Sequence, residues 1–221
     1  MNTELDATQR PGFVGRLRSR QAGYPSGVLG RIVGRVMVKD TAAANDHALA
    51  QLDLTQPFTI LDVGFGQGRS VANLVRAGHR VIGVDPSPTM VRQATRRNRS
   101  ACRDGRATLR HGDGVTIPFP AHSADAAITI HSIYFMADPA ATIADIARVL
   151  RPGGTLVVAC RTSDDDTPAW FDPAVYTFRS ADQITALLRT AGFEHVEHDD
   201  GGPVNHYVHH LLASLPRTGR T

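Results

Sequence analysis

A run of glycines beside a carboxylate is the part of this sequence best suited to chemistry. Residues 60–68 read Ile-Leu-Asp-Val-Gly-Phe-Gly-Gln-Gly, with apolar residues before them and helix-compatible residues after them. This pattern predicts a strand that turns into a helix at the glycines. Glycine has no Cβ and tolerates positive φ, and the first turn of a helix leaves backbone N–H groups unpaired. A polar or anionic ligand could therefore contact bare backbone at this turn.

The spacing of these glycines argues against a dinucleotide site. The dinucleotide pattern Gly-x-Gly-x-x-Gly would require a third glycine at position 69, where this chain has Arg69. Asp62, two residues before Gly64, would repel a pyrophosphate but would suit a ligand that carries an ammonium group. The turn therefore favours S-adenosylmethionine over NAD as its ligand.

Five segments, in order along the chain, resemble the class I S-adenosylmethionine-dependent methyltransferases. The glycine run is similar to motif I of that family, and the last two segments are similar to its small-molecule branch, which includes the quinone-biosynthesis methyltransferases. The five segments are residues 62–68, 81–85, 111–114, 124–139 and 148–155. Together they cover roughly residues 58–160. The resemblance implies an α/β fold with a doubly wound, seven-stranded, mostly parallel sheet, an antiparallel C-terminal strand and N-terminal capping helices.

The resemblance also implies roles for individual residues. Asp62 would hold the ammonium group directly or through water, and Asp85, about 20 residues beyond the glycine turn, would accept from both ribose hydroxyls. Pro86 would form a wall of the adenine pocket, and Asp113 would meet the adenine amine. The predicted cofactor-binding residues are Asp62, Gly64, Phe65, Gly66, Gly68, Asp85, Pro86, Asp113, Gly114 and His131.

His131 and Tyr134 follow the predicted fourth strand and are the candidate catalytic residues. A base is needed only if the acceptor is a hydroxyl, phenol or thiol that must lose its proton. Three roles are open to His131: it could line the site, act as the base or serve only the structure. Many relatives of the small-molecule branch carry a histidine pair where this chain has Tyr134-Phe135, which favours Tyr134 as a pocket wall over a catalyst.

Length and composition indicate one α/β domain with an N-terminal appendage. The chain has 221 residues, 42% of them hydrophobic, and a formal net charge of +3. Positive charge is spread along the chain, which argues against nucleic acid as a partner. Arg92, Arg96, Arg99 and Arg103 recur at helical spacing; we interpret them as a solvated helix face, with a phosphate-binding patch as the alternative.

Cysteine and histidine spacing gives no support to a metal site. Cys102 and Cys160 form no Cys-x-x-Cys pair, and Cys160 is predicted to lie in the core. Strand alternation should divide the terminal histidines between two faces of the sheet, so we predict no metal. These histidines are His195, His198, His206, His209 and His210. No apolar leader or long apolar run is present, which predicts a cytoplasmic protein.

The pattern of elements predicts four regions. They are a mobile lead (1–24), a helical cap (25–57), the cofactor-binding core (58–215) and a mobile tail (216–221). Within the cap, residues 26–39 form an amphipathic basic helix and residues 41–52 a second helix. Predicted strands lie near 59–64, 80–85, 107–111, 125–131, 154–160, 194–199 and 205–214, the last one reversed; predicted helices lie near 69–78, 87–99, 139–150 and 180–191.

The favoured function is methyl transfer from S-adenosylmethionine to a small-molecule acceptor. One alternative is a membrane-surface methyltransferase in which residues 26–39 contact a membrane and the acceptor is a lipid or quinone. Another is a non-catalytic, cofactor-binding partner protein. A nicotinamide oxidoreductase is disfavoured by Arg69 and by the reversed last strand. The acceptor, the methylated atom and the oligomeric state cannot be read from these residues.

Overall fold

A computed structural model of the chain describes residues 42–56, 58–166, 171–200 and 208–217. The strands in these ranges are β1 Thr59–Val63, β2 Arg80–Asp85, β3 Ala107–His111, β4 Ala124–Ile130, β5 Leu150–Cys160, β6 His195–Asp199 and β7 His209–Ser214. The α-helices are α1 Ala42–Ala50, α2 Arg69–Arg76, α3 Pro88–Arg97, α4 Arg99–Arg103, α5 Pro139–Val149 and α6 Ala181–Thr190. A short 3₁₀ turn, Ile133–Phe135, follows β4.

The strands form one seven-stranded sheet in the order β3-β2-β1-β4-β5-β7-β6. Strands β1 to β5 pair in parallel, whereas β7 is antiparallel to both β5 and β6. The chain leaves β3 at one edge and returns to β4 beside β1, so the strand order reverses between β1 and β4. Ligands of open α/β sheets bind at such a reversal, outside the carboxyl ends of the strands. The predicted fold class, with its reversed last strand, is confirmed.

Both faces of the sheet are covered, which explains the long apolar runs in its central strands. Along β5, Leu156 and Val158 belong to one core cluster and Val157 and Ala159 to the other, and all four are fully buried. Cys160, at the end of β5, is also fully buried, as predicted. These packed central strands fix the positions of the loops at their carboxyl ends.

The predicted helix near 87–99 is divided at Asn98 into α3 and α4. Asn98 is buried, and its side-chain amide donates to the carbonyl oxygens of Ala94 and Gly68. The break therefore ties the end of α3 to the glycine turn, a long-range contact that helical periodicity cannot reveal. The four arginines at helical spacing in this region are all exposed, as expected of an outer helix face.

Several predictions concern residues outside the described ranges. The mobile lead, the amphipathic helix at 26–39, the turn at 201–203 and most of the tail belong to this group, so they stay predictions. Helix α1 corresponds to the predicted second helix of the cap. Within the described part of the chain, every helix is too short or too polar to cross a membrane.

Candidate functional site

The glycine turn connects β1 to α2 at the carboxyl end of the sheet. Gly64, Gly66 and Gly68 have φ values of +79°, +53° and +72°, a left-handed conformation that side chains disfavour. A Cβ on Gly64 would lie 2.6 Å from the Cβ of Ser132, and one on Gly68 would lie 2.8 Å from the Cβ of Ala94. A Cβ on Gly66 would meet nothing within 4 Å. Two glycines therefore permit close packing, and the middle one faces open space where a ligand can approach the backbone.

Asp85, the last residue of β2, is joined directly to this turn. One carboxylate oxygen accepts from the N–H of Gly66 at 2.8 Å and the other from the N–H of Ser87 at 2.8 Å. Burial raises the pKa of Asp85 to about 6, more than these hydrogen bonds lower it. Each carboxylate oxygen has a second lone pair, so Asp85 can hold the turn and still accept from ligand hydroxyls.

Asp62 lies within β1 and is almost completely buried. The hydroxyl of Ser70, in the first turn of α2, donates to its carboxylate at 2.5 Å. Burial, reinforced by the negative charge of Asp85, raises the pKa of Asp62 to about 7. A cation beside this carboxylate would favour its ionised form. The site is thus electrostatically suited to an ammonium group, and Ser70 is a site residue that the sequence reading missed.

Phe65 and Gln67 alternate with the glycines and point into the protein. The Phe65 ring packs in the core, close enough that a Cβ on Gly83 would lie 2.7 Å from its Cδ1. Phe65 could therefore contact a cofactor only through its backbone. Gln67 is buried, and within the described residues its side-chain nitrogen has no hydrogen-bond partner. That unpaired donor is a further candidate contact, which the glycine pattern did not single out.

The loop after β3 forms the side of the site predicted to hold adenine. Asp113 is exposed, and its Oδ1 accepts from the N–H groups of Val115 and Thr116 at 2.9 and 2.7 Å. These bonds lower the pKa of Asp113, so its carboxylate is ionised and shapes its own loop. A Cβ on Gly114 would lie 4.0 Å from the Cβ of Pro86, so these two predicted cofactor-binding residues are neighbours. A contact between Asp113 and adenine stays a prediction.

His131 follows β4 with a φ of +55°, an uncommon conformation for a residue other than glycine. Its N–H donates to the carbonyl oxygen of Ala159 at 2.7 Å, which extends the sheet by one bond. Burial lowers its pKa to about 4, and electrostatic interactions with His210 and Arg161 add to this effect. The ring is therefore neutral at pH 7, and its Nε2 is buried without a partner among the described residues.

Tyr134 lies in the 3₁₀ turn and belongs to an aromatic cluster of five rings. The members are Tyr134, Phe135, Phe171, Tyr176 and Phe178, with neighbouring centroids between 4.7 and 5.5 Å apart. Burial raises the pKa of the Tyr134 phenol well above 10. A phenol that holds its proton so tightly does not suit a general base, and this environment agrees better with the wall role.

Comparison with known protein families gives a match over the residues of the candidate site. The family described as "Methyltransferase domain" matches residues 61–158, which span the glycine turn, Asp85, His131 and most of β5. The match covers the strand order reversal, where the candidate site lies.

Two curated relatives are methyltransferases by name. The O-methyltransferase cnsE of Penicillium expansum is 35% identical over 151 residues, which cover 64% of this chain and 54% of that protein. The 27-O-demethylrifamycin SV methyltransferase of Amycolatopsis mediterranei is 29% identical over 164 residues, which cover 70% of this chain and 60% of that protein. The chain thus spans between half and two thirds of the length of these relatives.

A solved structure with a similar fold comes from Haloferax volcanii. It is a chain of the complex that contains the Trm112 methyltransferase activator, and it superposes with a TM-score of 0.73 at 25% identity. The superposition covers 90% of this chain and 97% of that chain. The structural similarity therefore extends beyond the residues of the family match.

Proposed function

We propose that this chain, whose residues 61–158 match the family described as "Methyltransferase domain", transfers a methyl group from S-adenosylmethionine to a hydroxyl of a small-molecule acceptor. One observation carries the proposal. Gly66 faces open space, its N–H is held by Asp85, and the buried carboxylate of Asp62 lies in the strand that leads into the same turn.

These residues fit the cofactor by chemistry as well as by position. In the proposed site Asp62 pairs with the ammonium group, Gly66 offers its backbone surface to the methionine portion, and Asp85 accepts from the ribose hydroxyls. Pro86 and Gly114 border the adenine. The raised pKa of Asp62 supports this arrangement, because a buried carboxylate with no cation beside it is costly to ionise.

The bound cofactor would supply a methyl group on a sulfonium, whose departure as a neutral thioether needs no protonation. The chain's part is therefore to hold the two reactants in line and to exclude water. Such alignment can contribute about 7–11 kcal/mol to lowering a barrier. The glycine turn and Asp85 suit this task because both are fixed by hydrogen bonds to neighbouring strands.

The proton of the acceptor hydroxyl is the remaining chemical problem. His131 is neutral and has an unpaired Nε2, so it can accept a hydrogen bond from that hydroxyl. With a pKa of about 4 it is a weak base, and we assign it the role of orienting the acceptor. Arg161 contributes positive charge near His131 and would stabilise an acceptor oxygen that becomes anionic.

The aromatic cluster supports a flat, apolar acceptor. Phe135, Phe171 and Phe178 are only partly buried, and the guanidinium of Arg161 lies 5.6 Å from the centroid of the Phe171 ring. Arg161 thus connects this apolar surface to the neighbourhood of His131. Names of relatives such as O-methyltransferase cnsE support oxygen as the methylated atom.

The first test removes the ribose-binding carboxylate. We expect Asp85→Ala to fold but to bind S-adenosylhomocysteine about 100-fold more weakly in calorimetry, because two hydrogen bonds to a charged group are lost. Asp125→Ala is the matched control. Asp125 also accepts from a backbone N–H, that of Thr59 at 2.7 Å, but it lies at the opposite end of the sheet. Equal affinities of the two variants would contradict the assignment of Asp85.

The second test separates the competing functions. S-adenosylhomocysteine should raise the unfolding temperature, and NAD and NADP should not. A labelled methyl group should then pass from S-adenosylmethionine to members of a panel of small phenols. Binding without transfer to any acceptor would support the non-catalytic alternative, and stabilisation by NAD alone would overturn the cofactor assignment.

A further inference from the structure

Three metal-ligating side chains converge where α1 meets the last two strands. His47 comes from α1, Asp199 from the end of β6 and His210 from β7. One candidate ligand atom from each lies within 4.8 Å of the other two. The Nε2 of His47 is 2.9 Å from an oxygen of Asp199, and the rings of His47 and His210 are 4.5 Å apart at their centroids. Three separate elements therefore bring these groups together.

Strand register explains why two of the three face the same way. Asp199 and His210 are direct cross-strand partners, so their side chains project from the same face of the sheet. Helix α1 packs on that face, since Ala48 and Leu52 join the core cluster beneath it. His47 therefore approaches Asp199 and His210 from above.

The neighbouring histidines point to the other face, as strand alternation predicts. His209 lies 2.7 Å from His198 and 3.1 Å from the carboxylate of Asp165, measured between the bonding atoms. The hairpin histidines are thus divided, as expected. The third group of this cluster, His47, comes from α1, which lies far from the hairpin in the sequence.

The hydrogen bonds around His47 conflict with one another. Its Nε2 lies 2.9 Å from Asp199 Oδ2 and 3.0 Å from the side-chain nitrogen of Gln51, and that nitrogen is 3.1 Å from the same oxygen. If Nε2 carries a proton, two hydrogen-bond donors, this N–H and the amide of Gln51, face each other and repel. If Nε2 carries a lone pair, two hydrogen-bond acceptors, Nε2 and the Asp199 oxygen, face each other and repel. A cation would remove this conflict, because it accepts the lone pairs of both the imidazole and the carboxylate.

We propose that His47, Asp199 and His210 bind a divalent transition cation of the zinc class. Two imidazoles and one carboxylate are a known ligand set for such ions, with a fourth position left for water. Ligand atoms of a tetrahedral zinc site are about 3.3 Å apart, given bonds of about 2.0–2.2 Å. His210 is fully buried and fixes one ligand, whereas the side chains of His47 and Asp199 are 42% and 43% exposed and can adjust.

The bound ion would fasten α1 to the terminal strands. This is separate from the proposed methyl transfer, because the cluster lies on the far side of β5 from His131. The N–H of His131 bonds to Ala159, and Ala159 is the register partner of His210. Two strand spacings, roughly 10 Å, therefore separate His210 from His131.

The test uses the full chain after treatment with a chelator. Titration with Co²⁺ should give one equivalent of tightly bound ion with the visible absorption of a tetrahedral site, and Zn²⁺ should displace it. His47→Ala and Asp199→Asn should each weaken Co²⁺ binding by more than about 10-fold. His195→Ala is the matched control, because it removes an exposed histidine from the same strand as Asp199.

Thermal unfolding is a second readout. It needs no substitution of the buried His210, which could prevent folding. Zn²⁺ should raise the unfolding temperature of the unmodified chain and of His195→Ala but not of Asp199→Asn, while S-adenosylhomocysteine binding stays the same in all three. Undiminished Co²⁺ binding by His47→Ala would overturn the proposal. Absence of Co²⁺ binding by the unmodified chain would do the same and would leave only the direct contact between His47 and Asp199.

Discussion

Two buried carboxylates give the candidate site its character. Asp62 and Asp85 lie on neighbouring strands, burial raises the pKa of both, and the negative charge of Asp85 raises the pKa of Asp62 further. Asp85 accepts hydrogen bonds from two backbone N–H groups, whereas Asp62 accepts one from the hydroxyl of Ser70. Asp62 is therefore the group most sensitive to the arrival of a cation.

This sensitivity predicts that binding of S-adenosylhomocysteine releases a proton. The pKa of Asp62 rises from 3.8 to about 7 on folding, so between these values the unfolded chain is ionised while the free folded protein holds its proton. Asp62 thus opposes folding increasingly as pH rises through that window. The ligand's ammonium lowers this pKa again, so affinity should increase as the pH rises towards about 7 and should level off above it.

Calorimetry in two buffers with different ionisation heats would count the released protons. Asp62→Asn should abolish the release. Ser70→Ala should move the pH dependence upward, because the Ser70 hydroxyl lowers the pKa of Asp62. A proton release that persists unchanged in Asp62→Asn would assign the effect to another group.

At the scale of single residues, the sequence predicts those side chains that belong to a recognisable local pattern. Asp85 is a predicted site residue because it ends a β-branched strand at a known distance from the glycine turn, and Asp62 is one because it precedes the first glycine. Ser70 and Asn98 were missed because their contacts join separate elements, which no spacing rule records. The low pKa of His131 cannot be read from the sequence either. It follows from burial and from electrostatic interactions with His210 on β7 and with Arg161, which follows β5.

The decisive element is the turn between β1 and α2. Its three glycines share a left-handed backbone but have different neighbours, as the built Cβ positions show. Gly64 and Gly68 must be small because Ser132 and Ala94 press against them. No described atom would contact a Cβ on Gly66. We therefore attribute the glycine at this position to a ligand that approaches its backbone.

Gly66→Ala should therefore separate folding from binding. Positive φ makes an alanine cost about 1 kcal/mol of stability. Gly105→Ala is the matched control, because Gly105 also has positive φ and open space around its Cβ position but lies in the turn before β3. Urea denaturation should show similar losses for both variants, and calorimetry should show weakened S-adenosylhomocysteine binding only for Gly66→Ala. Equal binding by both would contradict the assignment.

At the scale of the whole molecule, the reversed strand β7 completes the sheet. It lies between β5 and β6, so its side chains are covered on one face by α6 and its neighbours and partly covered on the other. Apolar alternation and turn residues were enough to predict a reversed last strand. They could not predict its insertion between β5 and β6, because strand order depends on which edges are open when the strands pair.

Two adjacent leucines on β7 can test whether this strand lies in the interior of the sheet. Leu211 is fully buried in one core cluster, and Leu212 is partly exposed on the opposite face. Leu211→Ala should lower the free energy of unfolding by about 2–5 kcal/mol, because it leaves a cavity between the sheet and its helices. Leu212→Ala should cost clearly less in the same urea experiment. Equal losses would argue that β7 is not held as the interior strand described above.

The place of β7 in the strand order also bears on how the polypeptide is made. The candidate site lies at the ends of β1, β2 and β4, all of which leave the ribosome before residue 131. Strand β6 emerges earlier than β7, yet in the described structure β7 is the neighbour that β6 pairs with. A nascent chain can therefore form the strands of the candidate site early, whereas β6 stays without its partner strand until β7 has been synthesised.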